Sequence, residues 1–320
     1  MMRRLLPDFL RCILSLLFLA ALTGLFPAAA RSTEHPGVLH FESREQEWET
    51  RTRQIHMQGE ARIFGNDGDL RAETIRIRFF PQSMDATPSP DKLESLTAQG
   101  FVRVSSEDLQ AFADKARYEG QPQHLFLDGA PAEILHPDIH ITGNSIFYDR
   151  LKERMEVRGT KQTPTTLEDR SPESRETGPT TASALLQKWD FTERTLTLTG
   201  NVHIIQPGTD LRADTITIHY KEQDSNPDQK PEASSAPTIE RAIAEGKVQL
   251  TQHDGNASGD RAIYTAEDDT VVLTGSPARM ERSGGNMLQG PIIVLDRKTG
   301  EVQISGGASG TLHPDSSPSF

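Results

Sequence analysis

Between residues 196 and 204 every second position is apolar or glycine: Leu196, Leu198, Gly200, Val202 and Ile204, with Thr197, Thr199, Asn201 and His203 between them. A period of two gives a strand one dry face and one wet face, so a chain that keeps the pattern up must bury a sheet face. This chain writes the pattern twice. Residues 54–77 align without a gap to 195–218 with nine of 24 positions identical, among them Gly59 with Gly200 and "DLRA" with "DLRA". The match continues from 93–134 to 239–280, pairing Gly100 with Gly246, Tyr118 with Tyr264 and "DGAPA" with "TGSPA". It closes with "GNSIFYDR" (143–150) against "GPIIVLDR" (290–297). Self-similarity over this length means two tandem copies of one domain.

A finer period lies inside each copy. Glycines closing an alternation fall at Gly59, Gly100, Gly129 and Gly159, then at Gly200, Gly246, Gly275 and Gly306, spaced by 41, 29 and 30 residues and by 46, 29 and 31. Each unit reads as a strand, a Gly, a strand, a polar turn, and a small residue beside an acid or amide before the next strand. The alternation changes phase between Ala213 and Ile216, which predicts a bend or bulge near Asp214. Pro131, Pro277 and Pro291 stand where pairing would otherwise continue, which predicts edges or corners. Helical periodicity is confined to a short helix expected over 182–188. Residues 160–183, rich in Thr, Ser, Pro and charge, read as a flexible linker. Residues 81–92 and 221–237 read as long surface loops at one place in both copies, and 309–320 as a disordered tail.

The N-terminus carries "MMRR", an apolar run over 12–26 and the small residues Ala28, Ala29 and Ala30, the form of a secretory signal peptide (1–30) cleaved after Ala30. The run is short of the roughly 20 residues a spanning helix needs, but extended through Phe9 and Leu10 it also reads as a retained anchor. Cys12, the one cysteine, lies inside this segment, so the mature chain has no disulfide or thiolate chemistry. Losing Arg3, Arg4, Arg11 and Asp8 takes the net charge from -12 to -14. Such a surface repels nucleic acid, and no basic stripe interleaved with aromatics reverses that locally.

Chemistry-bearing constellations are sparse. "HPDIH" (136–140) offers two histidines and an acid, but it also reads as a polar turn entering a strand, and no metal is assigned to it. "SGGN" (283–286) lacks the lysine and strand-to-helix setting of a phosphate cradle and reads as a hairpin turn. No acid pair is placed in a cleft, so no catalytic residue and no cofactor are assigned.

"LTGNVHI" with "LRADTITIHY", then "AEGKVQL" with "ASGDRAIYTAEDDTVVLTG", resembles the OstA-like domain of the lipopolysaccharide-transport periplasmic proteins, the LptA-like family. The likeness covers 38–159 and 185–308 and is better in the second copy. It implies an all-β chain of two tandem OstA-like antiparallel β-jellyroll repeats, open-ended and twisted, joined by the linker. It further implies a non-enzymatic periplasmic protein whose interior accepts the lipid A acyl chains of lipopolysaccharide. The implied partners are an inner-membrane-anchored jellyroll component, the outer-membrane translocon and, head to tail, further copies of the chain. Alternation puts Ile55, Met57, Ile75, Ile77, Val102, Val104, Leu196, Leu198, Val202, Ile204, Ile216, Ile218, Val248, Leu250, Val271 and Leu273 on the dry face, where acyl chains would lie. Two other readings stand beside this one. One is a membrane-anchored component of the same export complex, and the other a β-repeat polysaccharide-active enzyme, against which the spacings of 41 and 46 residues argue.

Overall fold

The computed structural model describes residues 39–65, 68–80, 93–106, 109–170, 178–221, 239–253, 255–282 and 285–311. The expected signal segment and the loops at 81–92 and 222–237 lie outside them. The described residues divide into two compact units, the first ending at Thr165 and the second beginning at Thr166. Among the described residues all regular structure is strand.

The first unit contains β1 (His40–Glu42), β2 (Glu45–Glu49), β3 (Gln54–Gly65), β4 (Gly68–Phe79), β5 (Leu93–Ser105), β6 (Gln110–Glu119), β7 (His124–His136), β8 (Ile139–Asp149) and β9 (Arg154–Arg158). From β3 onward each strand pairs antiparallel with the next, and β1 and β2 pair with the two halves of β3. After β10 (Thr165–Asp169), which begins at the boundary, the second unit holds β11 (Thr180–Ala184), β12 (Leu186–Asp190), β13 (Thr195–Gln206), β14 (Thr209–Tyr220), β15 (Ile239–Gln252), β16 (Gly255–Thr265), β17 (Thr270–Arg282), β18 (Asn286–Asp296), β19 (Val302–Ser305) and β20 (Ser309–Thr311). There β11 and β12 pair with the two halves of β13, the meander runs to β18, and β19 and β20 both pair with β18.

Three expectations are corrected. Residues 182–188 form no helix but parts of β11 and β12. Thr180, Ala182 and Ala184, then Gln187 and Trp189, are buried in period two around a break at Leu185. The Leu185 N–H donates to the carbonyls of Thr199 and Gly200, so pairing with β13 overrides the helical propensity of the Ala/Leu run. The linker at 160–183 contains β10 and most of β11, where Thr165, Leu167 and Asp169 are buried alternately; residues 171–177 are outside the described set. The tail begins with β20, paired with β18 through Met287, Leu288 and Gln289.

The phase change read at Asp214 recurs along each unit. In β4 the inward Ala72 and Ile75 are separated by two outward residues, Glu73 and Thr74. The same step occurs at Asp114–Lys115, Asn144–Ser145, Asp214–Thr215 and Asp260–Arg261. The extra residue sits on the neighbouring strand. Gln58 stands opposite Thr74 and Ala61 opposite Ala72, so β3 carries one residue more than β4 there. The glycine and its follower both adopt left-handed φ: Gly59 and Glu60, Gly100 and Phe101, Gly200 and Asn201, Gly246 and Lys247. These stacked bulges turn the strands through a corner. Pro131 and Pro277, both after cis peptide bonds, lie in the corresponding breaks of β7 and β17, and Pro291 lies in the break of β18. All three are at corners.

The doubled "DLRA" is now legible. Leu70 and Ala72 face inward, while Asp69 and Arg71 form an ion pair of 2.9 Å on the outer face. Arg62 of β3 adds hydrogen bonds of 2.9 and 2.6 Å to the same carboxylate. Asp210 repeats the arrangement with Arg212 at 3.1 Å and His203 at 2.8 Å. Burial opposes ionisation of Asp69, but hydrogen bonds from Arg71 and Arg62 outweigh it and hold its carboxyl below the ordinary value. The stabilisation is therefore present above the ordinary carboxylate range and lost as pH falls through the lowered native value. Because solvent screens the pair, Asp69→Asn is expected to cost roughly 0.5–1 kcal/mol at pH 7 and less at pH 3. Urea titrations at the two pH values measure this, and an equal loss at both would assign the effect to packing.

Candidate functional site

All sixteen residues expected on the dry face occupy the inward parity of their strands. Thirteen are buried, and Ile204, Leu250 and Val271 are half-buried. In the first unit Ile55 faces Ile77 and Met57 faces Ile75 across β3 and β4, while Val102 and Val104 of β5 stand against Ala113 and Ala111. In the second, Leu196 and Leu198 meet Ile218 and Ile216, Val202 meets Ala213, and Ile204 and Leu250 both flank Leu211. Val248 is opposite Gly259, Leu273 opposite Ala262 and Val271 opposite Tyr264. The sixteen form two sets, one within each unit.

The first unit holds a partly open apolar cavity of about 50 Å³. Leu70, Val104 and Ala111 line it from one side of the corner row, and Leu96, Leu127 and Tyr148 from the other. Residues on both sides of a bend can line one cavity only if the sheet is folded along that bend. This interior extends beyond the sequence expectation, which did not include Leu70, Leu96, Tyr118, Leu127, Ile134, Ile141 or Tyr148. The signal was there in the alternation of "HLFLDGA" and in the match of Tyr118 with Tyr264.

Polar side chains also line this interior, among them Gln123, Tyr118, Tyr148 and Arg150. Arg150, just after β8, lines the cavity, and its Nη1 donates to Oε1 of Gln123 at 2.7 Å. Burial lowers the Arg150 pKa from its ordinary value, and burial raises those of Tyr118 and Tyr148. At the matching place in the second unit Arg297 lies 3.1 Å from Oδ1 of Asp269, with its guanidinium 5.4 Å from the Tyr264 ring centre. The Tyr264 hydroxyl also donates to Asp269.

The two interiors differ in closure. Ala111, Tyr118, Ile134, Ile141 and Tyr148 are buried, whereas their counterparts Ala257, Tyr264, Met280, Leu288 and Leu295 are half-buried. "HPDIH" forms the β7–β8 hairpin, with the Asp138 N–H donating to His136 Nδ1 and His140 lying 3.2 Å from Glu133. Among the described residues no three His, Cys, Asp or Glu side chains are grouped as a metal would need.

The model of the LptA/(LptD N-terminal domain) LPS transport proteins matches residues 40–154 and 183–301, more than half of the chain and one segment in each unit. The chain belongs to this family. It is a family of transport components rather than enzymes. An uncharacterized protein of Rhizobium meliloti is 29% identical over 106 residues, which are 33% of this chain. The match spans about half (54%) of that relative's length. Among solved structures, LptH of Pseudomonas aeruginosa, the LptA homologous periplasmic component of the lipopolysaccharide transport device, shares 22% identity. It covers 45% of this chain and 100% of its own length with a TM-score of 0.33. Each unit here is an antiparallel all-β meander whose bulges are stacked along a corner. No described helix is long and apolar enough to cross a membrane.

Proposed function

We propose that the protein is a periplasmic carrier of lipopolysaccharide that holds lipid A acyl chains against the inward apolar face within each unit, without catalytic turnover. The observation that supports this most directly is the doubled set of inward apolar residues, joined to a family of lipopolysaccharide transport proteins. At about 0.8 kcal/mol per buried CH₂, ten methylenes contribute on the order of 8 kcal/mol. That outweighs modest repulsion between an acidic protein and a phosphorylated head group. The half-buried inner row of the second unit is where a chain enters with least repacking, and the more deeply buried interior of the first repacks more to admit one.

Export by a signal peptide cleaved after Ala30 places the mature chain in the periplasm, and N-terminal sequencing of the exported protein tests that step. A photo-crosslinker at Leu198 or Val248 is expected to capture lipopolysaccharide in cells, and one at Thr197 or Gln249 to capture much less. Equal labelling from both parities would remove the lipid from the interior.

Strand edges carry unpaired backbone groups that another strand can join. End-to-end contacts follow with a membrane-anchored jellyroll on the inner side, with the translocon's jellyroll on the outer side, and with further copies of the chain. Cross-linking probes near Leu39 and Val302 test them. Capture at neither end would favour a shuttling carrier over a bridge.

A further inference from the structure

The two units place the same three residues at the same place with one difference of charge. Tyr118, Gln123 and Arg150 in the first correspond to Tyr264, Asp269 and Arg297 in the second. Arg150 N–H donates to the Gln123 carbonyl at 3.2 Å and Arg297 N–H to the Asp269 carbonyl at 3.0 Å. Gln123 and Asp269 both adopt left-handed φ, 52° and 54°. In the second unit the guanidinium is neutralised by the Asp269 carboxylate at 3.1 Å. In the first it meets a neutral amide, and among the described residues no carboxylate lies within ion-pair distance of it.

The position of this cation matters because it lines the apolar cavity. Arg117, the other cation there, is spent on the outer face, over the Phe126 ring at 4.1 Å and 3.5 Å from Glu119. Asp149, next in sequence to Arg150, is held by Lys152 at 2.9 Å and His124 at 3.5 Å. A half-buried guanidinium stays charged, since arginine does not deprotonate in proteins. A planar fork of donors with its charge uncompensated at the wall of an apolar space is matched by one chemistry, a tetrahedral or planar oxyanion attached to a hydrocarbon chain.

We propose that the first unit contains an anion-reading site for an amphiphile, in which the cavity takes the chain and Arg150 takes the phosphate or carboxylate. The second unit, with Arg297 already neutralised, takes chains without reading their charge. This rests on the lipid-carrier reading and adds to it a division of labour between the repeats.

The test uses the mature chain and four probes of one size class: octyl phosphate, octanoate, octanol and inorganic phosphate, with binding followed by calorimetry. The wild type is expected to bind at least one of the two anionic amphiphiles about tenfold or more tightly than octanol, the effect of one charge-assisted hydrogen-bond pair. Which anion is preferred separates a phosphate head from a carboxylate. Arg150→Gln should abolish the preference and Arg150→Lys should keep part of it. Gln123→Glu should abolish it with Arg150 still present, by installing the neutral pair that the second unit already accommodates. Equal binding of octanol and both anions by the wild type, an undiminished preference in Gln123→Glu, or inorganic phosphate binding as tightly as octyl phosphate would each overturn the site while leaving the carrier reading intact. Binding of no amphiphile at all would overturn both.

Discussion

Ile75→Asp is expected to unfold the first unit at room temperature, while Thr74→Asp, one residue away, is expected to change its stability by no more than about 0.5 kcal/mol. Ile75 is fully buried between Met57 of β3 and Ala98 of β5, which are themselves fully buried. Truncating a core isoleucine alone costs about 2–5 kcal/mol, from lost transfer energy and the cavity left behind. A carboxylate in that space has no partner among Met57, Ala98 and the neighbouring inward residues, which adds several kcal/mol whether it ionises or stays protonated. The sum reaches the roughly 5–15 kcal/mol that holds a typical domain together. Thr74 is one of the two outward residues at the β4 corner, so an aspartate there remains in water. Circular dichroism during urea titration of each variant gives the answer. If the two variants were equally stable, the inward parity assigned to β4 would be wrong.

The parity of the strands was readable because period two is a direct image of a sheet with one buried face. Leu196, Leu198, Ile216 and Ile218 needed only the alternation and no neighbours to be placed. The corners were half readable. The step from Ala213 to Ile216 marked the bend at Asp214, but the extra residue sits on β13 and β15, at Gly200–Asn201 and Gly246–Lys247. A bulge is a relation between two strands, so one strand's pattern shows its consequence and not its location. The run at 182–188 misled for a related reason: Ala, Leu, Gln and Lys favour helix locally, and only the edge of β13 makes two short strands the better solution. In the interior, Tyr118 and Tyr148 carry a polar atom and broke the apolar pattern, and Arg150 belonged to a turn, where alternation says nothing. The difference between Gln123 and Asp269 is visible in the aligned sequences, but its meaning depends on both residues meeting an arginine 27 or 28 positions further on.

Gly100→Ala and Gly246→Ala are expected to destabilise their units by about 2–4 kcal/mol each, and Gly208→Ala by about 1 kcal/mol. All three glycines have left-handed φ, +80°, +77° and +76°, so the backbone penalty for a side chain is the same. Their surroundings differ. A Cβ on Gly100 would lie 2.7 Å from Cβ of Glu73, and one on Gly246 would lie 2.5 Å from Oδ2 and 2.8 Å from Cβ of Asp214. A Cβ on Gly208 would meet nothing within 4 Å. Glu73 and Asp214 are the acids that follow a small residue at the corner, so the glycine of one strand and the acid of the one before it occupy one fitted space. Lys247, 3.6 Å from Asp214, adds only a surface ion pair to it. The excess loss at Gly100 and Gly246 over Gly208 therefore measures the close approach of adjacent strands at the corner, separated from backbone strain. Guanidinium titrations of the three variants supply the comparison. Equal losses at all three positions would mean that conformation alone selects glycine there and that the acids are not packed against it, which would remove the physical reason for writing the small–acid pair and the glycine together in both repeats.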